Sequence, residues 1–96
     1  MTGRALLTQN RDAILEAARR HGAISIRVFG SVARGEENAQ SDVDFLVRME
    51  PGRSLLHMGG LLADLEDLLG RKVDLVSEAG LRPRFREHVA REAVTL

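Results

Sequence analysis

Asp42 and Asp44 open the apolar run Val43, Phe45, Leu46 and Val47, and their spacing carries chemistry. In an extended strand residues i and i+2 share a face, so both carboxylates point the same way with Cα atoms roughly 6–7 Å apart. Two ionised carboxylates that close repel by a few kcal/mol at an effective dielectric of about 20. A divalent cation between them answers the repulsion, because hard cations take carboxylate oxygen. Upstream, Val28–Phe29 runs into Gly30–Ser31, and the ten residues 32–41 separate that turn from Asp42. Gly30 admits backbone angles that other residues resist, and its missing side chain lets a phosphate approach the main chain. Ser31 offers a hydroxyl and an N–H at the start of a short helix, where anions bind. An ordinary strand-to-helix turn capped by Ser31 has the same local composition. Arg34, one helical turn on, reaches either a phosphate oxygen or the acids Glu36 and Glu37. A third carboxylate, Asp74, sits in the run Val73–Asp74–Leu75–Val76, and a charge in so apolar a strand needs a partner. Three carboxylates converging from neighbouring strands could hold two ions roughly 3.5–4 Å apart, the arrangement that stabilises charge in phosphoryl displacement. Taken singly, each aspartate fits a loop, cap or outward strand position equally well.

The elements that must position these residues follow in order. Leu7, Ile14, Leu15 and Ala18 recur at helical spacing over residues 5–20, and Gly22 stops the helix. Ile24, Ile26 and Val28 alternate as a first strand, which Gly30–Ser31 breaks into a short helix over 31–34. Gly35 releases the chain into a polar loop over 36–40, and Ser41 caps or orients the approach to Asp42. In the second strand Val43, Phe45 and Val47 share one face, and Asp44, Leu46 and Arg48 the other, so Arg48 is expected beside the acidic cluster. Pro51–Gly52 ends it and Ser54 is placed to cap a helix over 55–69, with Leu55, Met58, Leu62, Leu65 and Leu69 on its core stripe. Gly59–Gly60 inside that helix costs roughly 1 kcal/mol per glycine against alanine, which implies close packing. A third strand over 73–76 follows, then a helix from Pro83 to about 94. The expected fold is α+β: a mixed sheet of three or four strands with helices packed on it, in one domain spanning 1–96.

Composition narrows the function. Ninety-six residues provide one core, burying about 60–65% of the unfolded surface. With 44% hydrophobic and 29% charged residues the chain reads as soluble and globular, with no apolar run of membrane-spanning length. The absence of cysteine excludes thiolate chemistry and fits a cytoplasmic location. Residues 1–35 carry six Arg against two acids, residues 36–78 ten acids against four bases, and residues 79–96 four Arg against two acids. An acidic middle opposes direct nucleic-acid binding on that face and suits a metal-and-phosphate site. The arginines at 82, 84, 86 and 91 are expected on a solvated helix face, and His21, His57 and His88 show no ligand spacing. Phe29, Phe45 and Phe85 fit core positions and provide no stacking platform for single strands.

Gly30–Ser31, the ten-residue interval and Asp42–x–Asp44 together resemble the signature of the DNA polymerase beta nucleotidyltransferase superfamily. More narrowly the chain resembles the minimal nucleotidyltransferases (the MNT type), antitoxins that pair with HEPN-domain toxins. The likeness covers the helix over 54–70, the strand carrying Asp74 and both terminal helices. It implies a magnesium-dependent nucleotidyltransferase that uses ATP, with two ions. Asp42 and Asp44 would ligate both ions, and Asp74 would hold the one on the acceptor side and help take up its proton. Gly30, Ser31 and Arg34 would bind the nucleotide. The implied acceptor is a tyrosine of a HEPN-type toxin ribonuclease, held in a hetero-oligomer and silenced by AMP. The chain itself contains no tyrosine, so that acceptor would lie in trans. Two alternatives differ in kind: an antitoxin acting only by occlusion, and nucleotidylation of a small-molecule hydroxyl.

Overall fold

The computed structural model describes residues 3–35 and 42–96. The elements, in chain order, are α1 (Gly3–Gln9), α2 (Arg11–Arg20), β1 (Ala23–Phe29), α3 (Gly30–Arg34), β2 (Val43–Met49), α4 (Leu55–Leu69), β3 (Val73–Ser77), a 3-10 turn (Glu78–Gly80), α5 (Pro83–Glu92) and β4 (Val94–Thr95). Among the described residues the strands form one mixed sheet in the order β3-β2-β1-β4. β1 runs antiparallel to both β2 and β4, whereas β2 and β3 are parallel, joined through α4. The α+β expectation and its strand count hold; β4 is the strand that the sequence pattern did not show.

One face of the sheet carries the main core. Ile26 and Val28 of β1, Val43, Phe45 and Val47 of β2 and Val73 of β3 pack with Ile14, Ala17 and Ala18 of α2 and Leu61, Leu65 and Leu69 of α4. Each large side chain removed from water there contributes roughly 1.5–3 kcal/mol. Alternation sends Leu46 to the opposite face, and it too is buried, as is Val89 of α5, although both stand outside the main cluster. An Arg27–Glu78 ion pair of 3.4 Å links β1 to the 3-10 turn on that second face.

Four details depart from the sequence reading, each for a physical reason. The helix expected over 5–20 is two helices, because the backbone N–H and side-chain amide of Asn10 both donate to the Leu6 carbonyl, at 3.2 and 2.9 Å. An asparagine that competes for backbone groups in this way interrupts a helix. A register shift between Ala23 and Ser25 lifts Ile24 out of the alternation and leaves it 56% exposed. In α4 the buried stripe is Leu61, Leu65 and Leu69, while Leu55 is 84% exposed. Phe85 is 61% exposed rather than in the core, since α5 buries only Val89. The loop over 36–40 and Ser41 lie outside the described residues.

Candidate active site

Three strand ends meet at one corner of the sheet. In the β2–β3 ladder Asp44 pairs directly with Asp74, and in the β1–β2 ladder Asp44 pairs with Phe29, the residue before Gly30. The Val43 N–H donates to the Lys72 carbonyl at 3.0 Å and closes the start of the parallel pair. Adjacent strands lie about 4.8 Å apart, so Asp74, Asp44 and the Gly30 turn stand side by side. Asp42 is exposed immediately before β2, Asp74 is exposed on β3, and Asp44 is half-buried between them.

Asp44 feels this crowding. Burial, first, and then the charges of Asp74 and Asp42 push its carboxyl above the ordinary carboxylate range, while Arg34 opposes them. The register makes Asp44 and Asp74 neighbours, and the charges of Asp74 and Asp42 both act on Asp44. Among the described residues no three histidine, cysteine, aspartate or glutamate side chains stand together as a set that could hold a metal ion. Carboxylate oxygen, which Asp42, Asp44 and Asp74 offer, is the donor that hard divalent cations take.

Gly30 is required on two counts. Its φ is +74°, in the left-handed region, and a Cβ placed on it would overlap Asp44 Oδ2. The carboxylate is thus seated over the bare backbone of the turn. α3 begins there, brings Ser31 to its first turn and ends at Gly35. The α3 carbonyl of Ala33 accepts from Arg4 Nη2 of α1 at 2.7 Å, a brace between residues too far apart in sequence to be seen as a motif.

Arg34 closes α3, and Glu36 and Glu37, its other expected partners, lie outside the described residues. Its Nη1 donates to Glu92 Oε1 at 3.1 Å, at the far end of α5. Arg48 shares the carboxylate face by parity, but it pairs with Ser25 further along the ladder, and the cation that acts on Asp44 is Arg34. A cavity of about 360 Å³ lies between α1, β1 and β4, lined by Arg4, Leu7, Arg11 and Leu96 among others, and includes none of the six expected site residues. The histidines serve the scaffold: His21 Nε2 lies 2.6 Å from Asp64 Oδ2, and His57 Nδ1 accepts from the Ser54 N–H at 2.9 Å.

A mixed sheet that sets paired carboxylates against a Gly-Ser turn defines a nucleotidyltransferase. Residues 11–96 match the model of the nucleotidyltransferase domain, and the chain belongs to that family of enzymes. It is 42% identical over 90 residues to the protein adenylyltransferase MntA of Thermococcus cleftensis, covering 94% of this chain and 88% of that one. A Methanocaldococcus jannaschii protein, provisionally named a protein adenylyltransferase, is 37% identical over 75 residues, 78% of this chain and 81% of its own. A solved structure provisionally named a minimal nucleotidyltransferase superimposes with a TM-score of 0.90 at 53% identity, over all of this chain and 97% of that one. A toxin–antitoxin complex crystallised with AMP-PNP gives 0.76 at 23% identity, over 88% of this chain and 70% of that one, a likeness of fold. No helix among the described residues is long and apolar enough to cross a membrane.

Proposed function

We propose that this nucleotidyltransferase is an antitoxin that moves AMP from ATP to a hydroxyl, a tyrosine by family resemblance, of a HEPN-type toxin ribonuclease and so silences it. The observation that carries the reading is the direct pairing of Asp44 with Asp74 beside the Gly30 turn. The relative in Thermococcus is named a protein adenylyltransferase, and solved neighbours of the fold are toxin–antitoxin complexes, which supports a protein acceptor. The chain lacks tyrosine, so the modified residue lies in the partner.

In this reading Gly30 lets the triphosphate approach the backbone, Ser31 donates to it from hydroxyl and N–H, and Arg34 balances its charge. Asp42, Asp44 and Asp74 would hold magnesium, which supplies charge neutralisation and orientation at the reacting phosphate. The acceptor oxygen forms a bond to the α-phosphorus, the bond to the bridging oxygen breaks, and pyrophosphate leaves with the electron pair. Asp74, on the outer strand of the three, receives the acceptor proton. The reading places the protein in the cytoplasm, with its ATP, in a hetero-oligomer with the toxin.

Intact-mass measurement tests it. Purified chain, HEPN-type toxin, magnesium and ATP should yield toxin heavier by one or more AMP groups and unable to cleave RNA. Toxin that is blocked with no gain in mass would establish occlusion instead.

A further inference from the structure

We propose that Glu92, the last residue of α5, is a positioning residue for nucleotide binding, its carboxylate orienting the Arg34 guanidinium at the end of α3 to receive the triphosphate. This rests on the nucleotide-transfer reading above and adds a residue that no local motif contains.

Three observations carry it. Glu92 Oε1 accepts from Arg34 Nη1 at 3.1 Å, across 58 positions of sequence. Its side chain is 27% exposed against 44% for Arg34, so the carboxylate is the more enclosed partner. Arg34 lies in α3, the helix that starts at the Gly30 turn over which the Asp44 carboxylate is seated. The Glu92–Arg34 pair therefore ties α5 to the helix that opens that turn. A guanidinium is a planar fork of five donors, and a carboxylate on one edge sets the plane in which the others act.

The placement is costly for α5 alone. A helix C-terminus favours cations, so a carboxylate at its final residue opposes the macrodipole. Arg34, across the interface, offsets this, and the His88 ring stands one turn back with its Nε2 3.9 Å from the same Oε1. A half-exposed ion pair contributes little to stability by itself. Its value is better explained by what it holds in place.

Equilibrium binding of a fluorescent ATP analogue, with melting temperature measured on the same samples, decides the matter. Glu92→Gln keeps the shape and removes the charge, and should weaken binding about three- to fivefold. Glu92→Asp retains the charge on a shorter stem and should fall between that variant and the wild type. Arg34→Ala should weaken binding further, and Glu92→Gln in that background should add nothing, because Glu92 acts only through Arg34. Unchanged affinity in Glu92→Gln, or an additional loss on top of Arg34→Ala, overturns the proposal. Should Glu92→Gln fail to fold, Glu92→Asp makes the same comparison with Arg34→Ala. A wild-type chain that binds no analogue overturns the nucleotide-transfer reading as well, whereas wild-type binding by Glu92→Gln with weakened binding by Arg34→Ala removes Glu92 only.

Discussion

Asp44 is the side chain at which the fold and the chemistry conflict. Burial and its two acidic neighbours raise its pKa above the unfolded value, so the native state binds a proton more readily than the unfolded chain. The contribution to stability is then present in acid and is lost as pH rises through the raised native pKa. In chelator, melting temperature should fall across that window, and Asp44→Asn should flatten the fall while melting higher at neutral pH. The same variant should transfer AMP about a hundredfold more slowly or worse, since even outer-shell partners of a bound metal are worth 10–100-fold. Gly30→Ala should fail differently. It forces alanine to a φ of +74° and into Asp44 Oδ2, with about 1–2 kcal/mol lost to the backbone alone. Thermal melting should register that loss, and transfer should vanish with the displaced carboxylate. The placement of Asp44 on its strand and of the Gly30–Ser31 turn beside it was legible because both follow from spacing along the chain. Glu92 was not, since its partner lies 58 residues away and only the docking of α5 on α3 brings the two together.

Helices and strands were legible in type and less so in phase. α4 carries Leu55, Leu56, Leu61, Leu62, Leu65, Leu68 and Leu69, enough leucine to write more than one helical stripe. The sheet selects Leu61, Leu65 and Leu69 and leaves Leu55 outside. Ile24 misled for a related reason, because a bulge breaks the alternation that a strand pattern assumes. Gly60 is explained by packing: a Cβ there would come within 2.9 Å of the His21 ring, whereas Gly59 meets nothing. The capping of α4 was local and legible. Ser54 Oγ accepts from the Leu56 N–H at 3.2 Å. Ser54→Ala should cost about 1 kcal/mol, a fall in melting temperature of about 4–8 °C for a chain of this length. Transfer by that variant should be unchanged at temperatures where it stays folded, because the cap lies at the opposite end of α4 from β3 and Asp74.

At the scale of the molecule, one side of the sheet stores the hydrophobic core and the other presents Asp44 beside Asp74 and the Gly30 turn. β4 completes this arrangement by pairing with β1 through only Arg27 and Val28. Two residues are too short a run to announce a strand, which is why the edge was missed. The uneven charge follows the same division: the acidic middle of the sequence supplies the carboxylate corner, and the arginine-rich last helix packs on α3. Under the proposed function the acceptor comes to that corner in a partner chain. The most direct measurement compares transfer from ATP labelled at the α-phosphorus with transfer from ATP labelled at the γ-phosphorus, onto toxin, by wild type and Asp44→Asn. The arrangement of Asp42, Asp44 and Asp74 predicts toxin labelled from the α position only, and lost in Asp44→Asn. Label arriving from the γ position, or α label undiminished in that variant, would contradict it.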